Sequence, residues 1–237
     1  MNEHVARDVA EFIDGLGLIL TVDGTRPLDE LTAAVTSVCA RAEEDGGRNV
    51  VVLRLRSARP DRSWPGRVRI GEVNRWERAV RRVERLAAVT VAVPEGVCGG
   101  PALDLLLTTD FRIASPDFRL LLPVNNEHFW PGMAVHRLVG QLGAAQARRL
   151  VLWGHEITAD QAVSLGLVNE IGHDLEEALR AAVVMLGRLS GAEVAIRRSL
   201  ILEASATPYE EAIGSHLAAC DRELRRLARD EESATWS

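Results

Sequence analysis

Residues 16–22 (LGLILTV) form an apolar run that stops at the turn dipeptide Asp23-Gly24 and are predicted to be a buried strand. The period then changes. Leu28, Leu31, Ala34, Val35 and Val38 recur at helical spacing over residues 28–42, and Gly46-Gly47 closes that element. Residues 50–55 (VVVLRL) are a second predicted strand. Residues 56–69 hold two prolines, Trp64 and five arginines, and read as a surface loop. Helical spacing returns over residues 72–87, with Val73, Trp76, Val80, Val83 and Ala87 on one face. Residues 88–93 are a third strand, ended by Pro94.

Gly96-Val97-Cys98-Gly99-Gly100 has the composition of a tight turn, and Pro101 suits the first position of a helix running to about Thr108. Short strands are expected at 112–114 and 118–122, around Ser115-Pro116-Asp117. The second half is mainly helical. A helix over 144–152 stops near Gly154, and Thr158 with Gln161 makes a capping box for a helix ending at Gly166. Ser190 with Glu193, and Thr207 with Glu210, repeat that signal. Strands alternating with helices imply an α/β fold with parallel pairing. No linker or repeat interrupts the chain, so residues 1–237 read as one domain.

Composition narrows the chemistry. A hydrophobic share of 47% in 237 residues is enough for one sizeable core. The net charge of −6 argues against a nucleic-acid binder that works by neutralising phosphates. All 28 Lys+Arg residues are arginine, which excludes Schiff-base and P-loop lysine chemistry. The three cysteines, Cys39, Cys98 and Cys220, are widely spaced and form no CxxC pair, so neither a disulfide framework nor a zinc site is expected. With no signal-like or membrane-spanning run, a cytoplasmic setting is expected.

Two tempting motifs fail. The glycine turn is G-x-x-G-G rather than G-x-G-x-x-G, and Pro101 stands where the backbone would approach a pyrophosphate. The six histidines show no ligand spacing, so no metal is expected. Arg75, Arg78, Arg81, Arg82 and Arg85 share a predicted helix, four along one face. They read as a solvated face, or as a basic stripe for a ligand's phosphates or an acidic partner.

Residues 91–113 resemble the crotonase (enoyl-CoA hydratase/isomerase) superfamily, whose strand is followed by N-G-x-x-x-G-G-G-x-E-L and a helix ending in Asp. Here the stretch is Glu95-Gly96-Val97-Cys98-Gly99-Gly100-Pro101-Ala102-Leu103-Asp104-Leu105, with Asp110 at the matching distance. Residues 150–171 (LVLWGHEITADQAVSLGLVNEI) are similar to the family's V-L-T-G-x-x-I-x-A-x-x-A-x-x-x-G-L-V segment. The resemblance implies a crotonase-like (ClpP/crotonase) α/β spiral of ββα units over about 1–190, and a C-terminal helical region over about 191–237. It also implies a homo-oligomer, trimer or hexamer, and a coenzyme A thioester bound as substrate rather than as a permanent cofactor.

In that family two backbone N–H groups grip the thioester oxygen while two carboxylates move protons. The resemblance assigns thioester binding to Gly99 and Gly100 and acid/base work to Asp104, one methylene shorter than the usual glutamate. The middle glycine becomes Pro101, which has no N–H to give. The first oxyanion loop is replaced by Ser57-Ala58-Arg59-Pro60-Asp61-Arg62-Ser63-Trp64, and the second carboxylate falls on Val124, with Glu127 nearby as the candidate. Structural alternatives stand beside these roles: Asp104 as a first-turn residue matched to the helix dipole, Glu127 as a surface loop residue, Cys98 as a small buried turn residue.

Arg26-Pro27-Leu28-Asp29, Val97 to Leu105 and residues 130–139 (WPGMAVHRLV) resemble one branch, the hydratase-like accessory proteins of 3,5-dihydroxyphenylglycine assembly in glycopeptide antibiotics. That implies a type III polyketide synthase as partner, with dehydration and aromatisation of a CoA-bound polyketide to 3,5-dihydroxyphenylacetyl-CoA as the task. Two other readings remain open: a catalytically silent CoA-binding subunit, and a Cys98-dependent thioesterase or acyltransferase built on G-x-C-x-G.

Overall fold

The computed structural model describes residues 9–12, 15–46, 50–56, 64–125, 128–189 and 191–234. The first half contains β1 (Val9–Phe12), β2 (Gly17–Asp23), α1 (Leu28–Glu44), β3 (Val50–Arg56), α2 (Ile70–Glu84), β4 (Thr90–Glu95), β5 (Val97–Cys98) and α3 (Gly100–Leu106). Next come β6 (Phe111–Ala114), β7 (Arg119–Leu120), β8 (Val124–Asn125), β9 (His128–Phe129), α4 (Ala134–Trp153) and β10 (Ile157–Thr158). The chain continues with α5 (Ala159–Ser164), β11 (Glu170–Ile171), α6 (Leu175–Leu186), α7 (Gly191–Ala204) and α8 (Tyr209–Ala234).

Six strands form the main sheet in the order β1-β2-β3-β4-β6-β11, parallel except for β1, which pairs antiparallel with β2 at the edge. The period-two pleat explains how the continuous apolar runs are used. Val51, Leu53 and Leu55 of β3 face the core built with α1, α2 and α3, while Val50 and Val52 face the layer containing Leu179, Ala182 and Val183 of α6. Arg54 falls on the α6 face and is ion-paired with Glu176. A small sheet, β10-β7-β5, and the β8–β9 pair stand apart from the main sheet.

Several expectations are corrected. β4 runs through Pro94 rather than ending there. The Pro94 carbonyl accepts from Ser115 N at 3.1 Å, on the side of the strand where the missing N–H would also point, and β4–β6 pairing registers at Val91 and Ala92, short of it. Within the 56–69 segment, residues 57–63 lie outside the described residues, but Trp64 is a buried core residue. Ala87 is exposed because α2 ends at Glu84, and Leu86 takes the buried place. The expected 144–152 helix is the second half of α4, which begins ten residues earlier and bends at Gly143 (φ 75°, ψ 161°). Ser190 lies outside the described residues, and α8 starts at Tyr209 after Pro208. The Thr158–Gln161 capping box is present, with Gln161 N donating to Thr158 Oγ1 at 3.4 Å and Thr158 N to Gln161 Oε1 at 3.0 Å.

One ion pair roots the last third of the chain. Arg198 of α7 donates through Nε to Asp110 Oδ1 at 2.8 Å, and its Nη atoms donate to the Leu86 and Ala88 carbonyls. Beyond α7, α8 leaves Tyr209, Ile213, Leu217, Leu224 and Leu227 exposed on the single chain. Among the described residues, no helix is long and apolar enough to cross a membrane.

Candidate functional site

After β4 the chain reverses at Gly96 (φ 63°), and β5 pairs parallel with β7, Cys98 opposite Leu120. Two glycines then meet requirements no other residue satisfies. A Cβ on Gly99 would lie 2.7 Å from the Leu121 carbonyl oxygen, a backbone atom that cannot yield. Gly100 has φ 52°, and a Cβ there would stand 3.0 Å from Trp64 Cγ. Pro101 follows inside the first turn of α3 and is buried. Its ring suits that position sterically, but it removes one of the donors the turn would otherwise present.

Asp104 is the fifth residue of α3, past the first turn, so matching the helix dipole does not account for it. It is 4% exposed and accepts a 2.8 Å hydrogen bond from Trp76 Nε1. Burial pushes its carboxyl up from the usual range to about 7, against the Trp76 hydrogen bond, with Glu77 adding to the rise and Arg137 opposing it. Arg137 itself is held between Glu84 and Glu77, each at 3.3 Å. Asp104 therefore sits where a proton can be both held and released near neutral pH.

Trp64 completes this cluster. Its indole meets Trp76 edge-on, with centroids 6.1 Å apart at 75°, and its five-membered ring abuts Gly100. Trp64, Glu77 and Arg137 were not legible as site residues, and Trp76 was legible only as part of an apolar stripe. Their common link is the packing of α2 on α3 and on the start of α4, which no local spacing encodes. The one local hint was a tryptophan inside an otherwise arginine- and proline-rich loop.

Other candidates fall away from this cluster. Cys98 is fully buried, and burial, reinforced by the Asp104 charge, pushes its thiol up despite Arg112. A buried thiol held in its protonated form argues against the Cys98 thioesterase or acyltransferase reading. Val124 is 56% exposed and carries no titratable group, while Glu127 lies outside the described residues. Asp110 is structural: besides Arg198 it accepts from Thr90 N and Oγ1 at 2.8 and 2.9 Å. Arg82 is half-buried against α1, forking onto Glu43, while Arg75, Arg78, Arg81 and Arg85 are exposed. Among the described residues no three His, Cys, Asp or Glu side chains gather as a metal cluster.

Comparison with known proteins places these features in context. Residues 73–223 match the family model described as enoyl-CoA hydratase/isomerase. A protein from Amycolatopsis orientalis named enoyl-CoA-hydratase is 45% identical over 212 residues, spanning 89% of this chain and 97% of its own. Among solved structures, an enoyl-CoA hydratase/isomerase from Cupriavidus metallidurans CH34 superposes with a TM-score of 0.78 at 18% identity, over 92% of this chain and 88% of that one. Another from Marinobacter aquaeolei gives 0.75 at 19% identity, over 92% of each. These two likenesses establish the fold: the α/β spiral with a helical C-terminal region that the sequence implied.

Proposed function

The chain belongs to the enoyl-CoA hydratase/isomerase family, and on that premise we propose that it holds an acyl-CoA thioester at the Gly99-Gly100 turn with Asp104 as its proton-transfer group. The observation that carries this reading is Asp104 itself: a carboxyl at the family's glutamate position, buried beside the turn and titrating near neutrality. In a dehydration, the charged form takes the proton from the carbon next to the thioester. The carbon–oxygen bond to the β-hydroxyl then breaks, and the neutral form returns the proton so that water leaves. No permanently bound cofactor is required, since CoA arrives as part of the substrate.

At the finer level, the proposed substrate is a polyketide thioester made by a type III synthase, and the product 3,5-dihydroxyphenylacetyl-CoA. The support is the resemblance of residues 26–29, 97–105 and 130–139 to the accessory branch named above. Homo-oligomerisation is part of the proposal, because α8 exposes Leu217 and Leu224, 60% and 65% accessible, on one stripe. The test is reconstitution: a malonyl-CoA-using synthase with and without this protein, quantifying aromatic acyl-CoA. No change in product on addition refutes the reading.

Pro101 favours a second reading, in which the protein binds the thioester without transforming it, because a proline cannot complete the two-donor grip. Turnover of a β-hydroxyacyl- or enoyl-CoA by the isolated protein separates the two.

A further inference from the structure

Gly100 and Asp104, the two groups that the proposed chemistry must present to a ligand, are both buried, and Trp64 packs on Gly100 and on Trp76, the hydrogen-bond donor to Asp104. Trp64 is 7% exposed. Its ring lies so near Gly100 that even a methyl carbon added there would stand 3.0 Å from Cγ and 3.1 Å from Cδ2. On its other edge it meets Trp76, the donor to Asp104. Next to Gly100, Gly99 is packed against the Leu121 carbonyl. Among the described residues, a contact as close as that of Trp64 leaves no room for an acyl group between the ring and Gly100.

We infer that Trp64 is the residue that sets acyl specificity at this site: its indole fills the space over Gly100 that an acyl group must enter to meet Asp104. The inference rests on the thioester-binding reading above and adds to it a named determinant of what is admitted. CoA itself needs no access behind the ring. The acyl portion does, and binds only by displacing the indole from Gly100 and Trp76. The wild-type protein therefore gains little affinity from a short saturated acyl chain, and an enlarged pocket gains much.

The experiment is calorimetric titration of the full chain and of Trp64→Ala with CoA and with butyryl-CoA, a thioester that cannot be dehydrated. The expected result is similar affinity of both proteins for CoA, with a preference for butyryl-CoA over CoA that rises roughly tenfold or more in Trp64→Ala, the range that a methylene-sized pocket difference commands. Because removing a buried tryptophan can unfold a domain, Trp64→Phe, which keeps an aromatic ring of smaller area, is run beside it and is expected to show an intermediate gain. An unchanged butyryl-CoA to CoA ratio in a folded variant overturns the inference while leaving thioester binding intact. Absence of any CoA or butyryl-CoA binding by wild type and variants overturns both.

Discussion

The indole N–H of Trp76 donates to the carboxylate of Asp104 across 28 positions of sequence, joining α2 to α3 through a 2.8 Å hydrogen bond inside the core. A charge-assisted bond of this kind opposes the effect of burial on Asp104 and fixes which oxygen faces the indole. Asp104→Asn keeps an acceptor for that N–H but cannot carry a proton. It is expected to lower turnover, or stimulation of aromatic product, by about 10²–10⁴-fold while leaving the fold intact. Unchanged rates with the Asn variant would make Asp104 a structural residue.

The same carboxyl makes stability depend on pH. Its ordinary value is 3.8 and its folded value about 7, so between them the folded protein keeps a proton that the unfolded chain has lost. Stability therefore falls as pH rises across that window. Urea melts from about pH 4 to 7 should show this slope, reduced in Asp104→Asn, after allowance for other groups titrating in the range. A variant with the same slope as wild type would show that Asp104 is ionised throughout.

Pro101→Ala restores a backbone N–H at the turn without giving up a helix-compatible residue. In a Trp64→Ala background, where the turn is reachable, hydration of crotonyl-CoA should rise by about 10²-fold, the worth of one oxyanion donor. Equal rates with and without the Pro101→Ala change would mean that another N–H already serves.

Thiol accessibility is sharply divided. Cys220 is exposed, whereas Cys39 and Cys98 are buried, and burial pushes the Cys39 thiol up to about 12. Native protein should leave Cys39 and Cys98 unmodified by iodoacetamide, and activity should survive. Rapid modification of Cys98 would instead favour the thiol mechanism.

Arg198→Ala removes a buried guanidinium that is the partner of Asp110 and the donor to two backbone carbonyls. It is expected to cost on the order of 3 kcal/mol, read as a lower urea midpoint. A loss under about 0.5 kcal/mol, the size of an ordinary surface substitution, would show that α7 is held by other contacts.

The sequence revealed what repeats locally. The helical stripe from Leu28 to Val38, the VVVLRL strand and the Thr158 cap all carry their periods or partners within a few residues, and each is where the pattern placed it. Asp104 and the glycine turn were legible through the motif around them. Trp64 was not, because its place is defined by Gly100 and Trp76, reached through tertiary packing. Pro94 misled for a related reason. A proline ends a strand only where its missing N–H is needed, and that depends on the neighbouring strand. The β8 and β9 segments, two residues each, are too short to show any period.

Arg198 lies beyond the boundary near residue 190 that the family resemblance implies between spiral core and helical tail, yet the acceptors it satisfies, at Leu86, Ala88 and Asp110, belong to the sheet side of that boundary. That boundary is therefore not an energetic one. A chain cut there would leave two carbonyls and a carboxylate stripped of their cation in the foundation of β4 and β6. Shuffling such helical tails between relatives, by recombination or by design, keeps this anchor when the tail carries the arginine and the sheet side carries Asp110.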